Sequence, residues 1–233
     1  MDALATAFGM LVGLDPVLWS VIGLSLRVSL SAVLIAAIIG APLGALLATR
    51  RFRGRQFLIM VSGAFMALPP VVVGLAVYLM LSRAGPLGSL GLLFTPGAMI
   101  IAQSLLILPL ITALTRQVVT PVYRDYGGLF AAHNVSPMLA LRVTLWDARF
   151  GVATALLAGF GRAISEVGAV QIVGGNIAGV TRVMTTTIAL ETSKGNLEMA
   201  LALGMVLIVL ALVINVAIMA LGRFGQRFEE ARI

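Results

Sequence analysis

Arg162 and Glu166 lie four residues apart in GFGRAISEVGA, inside an otherwise apolar stretch. On a helix that spacing puts both side chains on one face. Charges at membrane depth are costly and turn toward protein or water. The pair therefore has two readings: a self-neutralising structural pair, or a gate on a path for a charged solute. A second polar group lies nearby in TRVMTTT (181–187), where Arg182 stands beside threonines that include Thr185, Thr186 and Thr187. Lys194 adds a cation a few residues on, and Glu191 partly offsets it. Two adjacent prolines, Pro69 and Pro70 in ALPPVVVG, each remove a backbone donor and bend a helix. Such a bend is either a static kink or the lining of a pathway.

Catalytic chemistry is hard to assemble from this chain. It has no cysteine and one histidine, His133, which leaves no thiolate metal site and no Ser/His/Asp arrangement for nucleophilic attack. There is no G-x-x-x-x-G-K-[ST]; GGNIAGVTR has Gly174 and Gly179 five apart but no lysine for phosphates. The chain is thus expected not to be an enzyme and to hold no nucleotide, metal or cofactor of its own. His133 belongs instead to AAHNVSPMLALR (131–142), which reads as two short helices joined by a sharp break. Asn134 takes the left-handed conformation that closes one helix. Ser136 caps the next, with Pro137 at its first position. Leu129, Phe130, Val135, Met138, Leu139 and Leu141 would leave an apolar patch there, and such patches mark contacts.

The elements that must position these groups follow from composition. Of 233 residues, 60% are hydrophobic and 11% charged, against about 25% charged in a soluble domain. The chain is an all-α integral membrane protein. Five stretches reach the roughly 20 apolar residues a span requires: 28–48, 57–81, 97–115, 150–173 and 197–222. They fill 1–233 as a single transmembrane domain, preceded by a short lead-in, MDALATAFGMLVGLDP, expected to lie along the membrane surface. Gly40 and Gly44 form a G-x-x-x-G pair that permits close helix approach.

The net charge of +7 raises nucleic acid as a partner, and the distribution of charge removes it. Arg50, Arg51, Arg53 and Arg55 follow the first span; Arg116, Arg124, Arg142 and Arg149 follow the third; Arg223, Arg227 and Arg232 follow the last. These eleven fall on one side, against Arg83, Arg182 and Lys194 on the other. The positive-inside rule puts the N-terminus outside and the C-terminus and loop 116–149 in the cytoplasm. The elbow therefore faces the cytoplasm. No internal repeat stands out, which counts against a duplicated secondary transporter.

A cytoplasmic helix-break-helix before the next-to-last span, in a chain without a nucleotide site, resembles the permease subunits of ABC importers. SLRVSLSAVLIAAIIGAPLGALLATRRFRG, ALPPVVVGL and GRAISEVGAV resemble the molybdate and sulfate branch, whereas LWDARFG and ISEVGAVQIVGGNIAGVTRVMTTTIALETSKG resemble the tungstate-type permeases. The likeness covers about residues 20 to 222. In that family the loop carries Glu-Ala-Ala followed by Gly; here Gly128 stands at the Glu place and Asn134 at the Gly place. The resemblance implies a MetI-like fold of five spans in the cytoplasmic (inner) membrane of a prokaryote. It implies a homodimer with two cytoplasmic ATPase subunits, which carry the ATP and magnesium, and an extracytoplasmic oxyanion-binding protein. Membrane lipid surrounds the assembly.

The coupling element would comprise Gly128, Leu129, Phe130, Ala131 and Ala132 before the break, His133 and Asn134 in it, and Val135, Ser136, Pro137 and Met138 after it. The cargo implied is tungstate, with molybdate or sulfate as the alternative; a channel or transporter without an ATPase is a further one. An oxyanion offers only acceptors, so Arg182 and the threonine hydroxyls suit its outer gate. They suit a polar loop that meets the binding protein equally well.

Overall fold

The computed structural model describes residues 2–230, with side chains described over 4–224. It is helical throughout, with no strand among the described residues. In chain order the helices are α1 (Asp2–Val12), α2 (Pro16–Thr49), α3 (Arg55–Met66), α4 (Pro70–Leu81), α5 (Pro96–Ala132), α6 (Pro137–Asp147), α7 (Arg149–Ile164), α8 (Gly168–Gly174), α9 (Met184–Ser193) and α10 (Leu197–Glu230). A 3₁₀ turn, Gly88–Leu90, interrupts the link from α4 to α5. Three helices are long and apolar enough to cross a membrane, α2, α5 and Leu197–Phe224 of α10. Two bent pairs, α3 with α4 and α7 with α8, bring the possible spans to five.

Several helices run past the stretches read from hydropathy. The lead-in is itself helical, and α2 starts at Pro16, where the Asp15 carboxylate accepts the Leu18 N–H at 2.9 Å and Pro16 fills the first turn. α5 does not stop near 115 but continues to Ala132. The elbow is thus not two short helices: its first arm is the tail of a 37-residue helix. Pro109 and Pro121 are both carried inside it.

The second stretch breaks sharply. α3 and α4 meet at 102°, because Pro69 is extended (φ −60, ψ 130) and Pro70 opens the next helix. Neither ring nitrogen can donate, so the ladder stops there. The fourth stretch breaks by 59° with no proline at all, at residues 165–167.

The described residues form two compact units. One comprises 2–32, 69–105 and 160–213; its α4 and α8 pack so closely that a Cβ on Gly74 would lie 2.7 Å from the Ala169 Cα. The other comprises 33–68, 106–159 and 214–230. Ala45, Val119 and Ala148 are its buried centre, with Val118, Val122, Leu141, Leu145 and Val152 against them. There Gly40 and Gly44 set α2 directly on the backbone of α5.

Candidate functional site

In the second unit the elbow is built from turn chemistry alone. Asn134 is left-handed (φ 49). Its N–H donates to Ala131 O at 3.3 Å, and the Val135 N–H donates to Phe130 O at 3.0 Å. That pair of bonds closes α5 as a Schellman motif, with Asn134 in the place glycine usually takes. Ser136 Oγ then accepts the Leu139 N–H at 3.3 Å, and Pro137 begins α6. Gly128 adds no side chain to this geometry. Ala131, Ala132 and His133 are all exposed.

Two contacts stiffen the arms. Tyr126 Oη donates to Asp147 Oδ2 at 2.8 Å, tying α5 to the end of α6, and Phe130 stacks on Tyr126 with ring centroids 5.5 Å apart. The expected apolar patch divides. Leu129, Met138 and Leu139 are exposed, joined by Trp146 at 72%. Leu141 instead packs into the buried centre, and Phe130 and Val135 line a cavity of about 230 Å³ with Thr49, Arg50, Tyr123 and Pro137. Trp146 escaped the sequence reading; Arg149 lies 5.2 Å from its ring centroid.

In the first unit, Arg162 and Glu166 form the pair their spacing calls for. Arg162 Nη1 donates to Glu166 Oε2 at 2.8 Å. The arginine is exposed and the glutamate buried. They do not share an unbroken helix, however, because Glu166 sits in the break between α7 and α8. Its other oxygen accepts the Ala169 N–H at 3.3 Å. Gln103 Nε2 donates to Ala163 O at 2.9 Å, beside the Glu166 N–H at 3.1 Å, and Thr185 Oγ1 donates to Glu166 O at 2.7 Å, so side chains from α5 and α9 bond carbonyls at the break. Gln103 was missed in the sequence, although a lone amide inside an apolar span is the signal that marks such residues. Pro69 and Pro70 open α4 directly before Val71, whose Cγ2 would lie 2.7 Å from a Cβ on Gly168.

The threonines do not present donors to an open face. Thr185, Thr186 and Thr187 are buried, and all three hydroxyls donate to backbone carbonyls: Thr185 to Glu166 O, the other two to Val183 O. Thr181 likewise bonds Gly174 O and accepts the Ile177 N–H, closing the GGNIAGVT loop. Arg182 is half-buried, with Nη2 on Asn176 O at 3.3 Å. These residues fold the 174–196 connection.

Glu191 ends that connection. Its Oε1 accepts Lys194 Nζ and its Oε2 accepts Asn196 Nδ2, both at 2.9 Å. The Lys194 hydrogen bond holds the Glu191 carboxyl below its ordinary range; burial works against this and Asn196 adds to it. A depressed carboxylate stabilises the fold above its unfolded pKa, about 4.3, and that contribution is lost as pH falls through the lower folded value. Hydrogen exchange should show protection of residues 191–197 dropping below about pH 4, with Glu191→Gln removing the dependence. Protection that stays level between about pH 6 and pH 3 would discount the ion pair.

Comparison with known proteins places this geometry. Residues 40–225 match the family of binding-protein-dependent transport system inner membrane components. The chain belongs to that family. A probable anion ABC transporter permease of Haloferax volcanii is 46% identical over 217 residues, covering 91% of this chain and 90% of its own. The tungstate uptake permease TupB of Peptoclostridium acidaminophilum is 40% identical over 220 residues, covering 94% and 96%. The fold matches the MetNI methionine ABC transporter in an inward-facing crystal form, with a TM-score of 0.73 at 17% identity over 91% of this chain and 98% of that one. The protein is therefore an ABC importer permease for anions, MetI-like in fold and multi-pass in the cytoplasmic membrane. Its family works with ATPase and binding-protein partners.

Proposed function

We propose that this permease imports tungstate, as a homodimer driven by two ATPase subunits that carry the ATP and magnesium and fed by an extracytoplasmic binding protein. The observation that carries the cargo is the 40% identity to a tungstate permease over nearly the whole of both chains. The elbow supports the coupling role. Its turn is closed by hydrogen bonds, and it exposes Leu129, Met138, Leu139 and Trp146, the last with Arg149 beside its ring. Exposed apolar groups of this kind serve a partner. The eleven arginines against three basic residues orient the elbow, with the C-terminus, to the cytoplasm.

Tungstate, molybdate and sulfate share tetrahedral shape and charge, so choice among them falls to the binding protein, which meets them first. Arg182 and the threonines act here as the scaffold of the 174–196 connection. The test is uptake by the reconstituted complex with its own binding protein and equimolar tungstate, molybdate and sulfate. Tungstate should enter first. Arg182→Ala should slow tungstate and molybdate by a similar factor. Sulfate entering ahead of tungstate would overturn the cargo, and a variant losing only tungstate would put selection in this subunit.

A further inference from the structure

The corner between α7 and α8 holds a carboxylate and a guanidinium under unlike conditions. Glu166 is 5% exposed and Arg162 44%, and a single contact joins them, Nη1 to Oε2 at 2.8 Å. A guanidinium has five N–H donors, so most of those on Arg162 are not engaged by Glu166, and no other acceptor for them occurs among the described residues. The carboxylate, in contrast, has an anchor of its own in the Ala169 N–H. Its backbone is pinned from two other helices, by Thr185 on Glu166 O and by Gln103 on Ala163 O. If Arg162 turned away, Glu166 would keep its place and one hydrogen bond. Arg162, 44% exposed, would be free to take another anion.

We propose that Glu166 is a built-in substitute for the transported anion: it holds Arg162 while the pathway is empty, and a tetrahedral dianion displaces it to become the transient ligand of Arg162. This rests on the reading above that the permease moves such dianions. Three features of the corner suit an exchange. The dianion offers only acceptor oxygens, which match the unused donors of the fork. Its double charge attracts Arg162 more strongly than one carboxylate does at equal distance. The displaced carboxylate then remains fixed beside the bound dianion and repels it. A transit site must bind well enough to admit its ion and weakly enough to release it; Glu166 supplies the weakening. It also keeps the arginine paired when no cargo is present, which a lone charge at membrane depth requires.

The experiment measures equilibrium binding of radiolabelled tungstate, molybdate and sulfate, separately, to the purified permease–ATPase complex without binding protein, alongside uptake. Glu166→Gln keeps the shape and removes the repelling charge. It should bind the transported anion roughly tenfold tighter or more, as removal of one unit charge a few ångströms away requires, and its turnover should fall. The double variant Arg162→Gln with Glu166→Gln leaves no lone charge, and the arginine it shortens is 44% exposed, so it should assemble; it should lose anion binding relative to the native complex and transport faster than Glu166→Gln. No tightening for any of the three anions in Glu166→Gln overturns the exchange. So does native-strength binding in the double variant, which covers the case in which the single variant fails to assemble. Tightening for sulfate but not tungstate would uphold the exchange and overturn the tungstate reading instead.

Discussion

Gly44→Val is expected to prevent the permease from folding. A Cβ at position 44 would collide with the carbonyl oxygen of Thr112 and come within 2.8 Å of Thr115 Cβ and 3.1 Å of Arg116 N. The first and last of these are backbone atoms of α5, which cannot swing aside as a side-chain tip can. The helices would have to separate, and separation costs the packing that holds α2 on α5, because no water-driven force presses helices together in lipid. Overpacking a well-filled interior costs about 1–3 kcal/mol, and the backbone obstruction puts this case at the upper end or beyond. Gly40→Ala should cost less, since its nearest neighbours lie at 3.2 Å and one of them is the Thr112 hydroxyl. Gly23→Ala, on the same helix but with nothing within 4 Å, should be neutral. Yield of detergent-extracted protein and its thermal midpoint check all three. Native yield and midpoint for Gly44→Val would mean that α2 and α5 are not in this contact.

The contrast between Gly44 and residues 165–167 shows how much of the molecule was legible in the chain. Features that depend on neighbours in sequence came through: the elbow, because Asn134, Ser136 and Pro137 each act on their own turn, and a bend at ALPPVVVG, because proline removes a donor wherever it stands. The size of that bend, 102°, did not. The break at Glu166 left no local signal. It is held by Gln103 on Ala163 O and Thr185 on Glu166 O, across 60 and 19 residues, and by the closeness of α4 to α8. Burial was equally invisible. TRVMTTT reads as a row of free donors, whereas Thr181, Thr185, Thr186 and Thr187 are packed inside and spend their hydroxyls on carbonyls. Helix length escaped for a related reason, since hydropathy marks where α5 leaves the apolar layer rather than where its hydrogen bonds end. Membership of the family was legible because the resemblance is carried by contiguous runs such as GRAISEVGAV.

Asn134→Val should leave the permease in the membrane without its ATPase. Position 134 has φ 49 and belongs to the Schellman closure of α5, between the bonds from Asn134 N to Ala131 O and from Val135 N to Phe130 O. A residue other than glycine or asparagine pays about 1–2 kcal/mol in the left-handed region, and a β-branched one resists it most. Valine there would pull the turn toward extended geometry, open both bonds and send α6 in a new direction. Leu129 lies before the turn, and Met138, Leu139 and Trp146 after it, so the apolar surface offered to the partner would come apart. The spans themselves do not depend on this residue, which is exposed and outside the buried centre of Ala45, Val119 and Ala148. A strain of about 1.4 kcal/mol corresponds to a tenfold shift in an equilibrium. ATPase recovered with the tagged permease should therefore fall roughly tenfold, with uptake falling alongside, while membrane insertion stays at the native level. Asn134→Gly separates geometry from side-chain chemistry: glycine enters the left-handed region freely, so assembly should hold or improve. If Asn134→Val assembles and transports like the native protein, the elbow does not carry the ATPase's motion, and the exposed leucines and tryptophan must serve another contact.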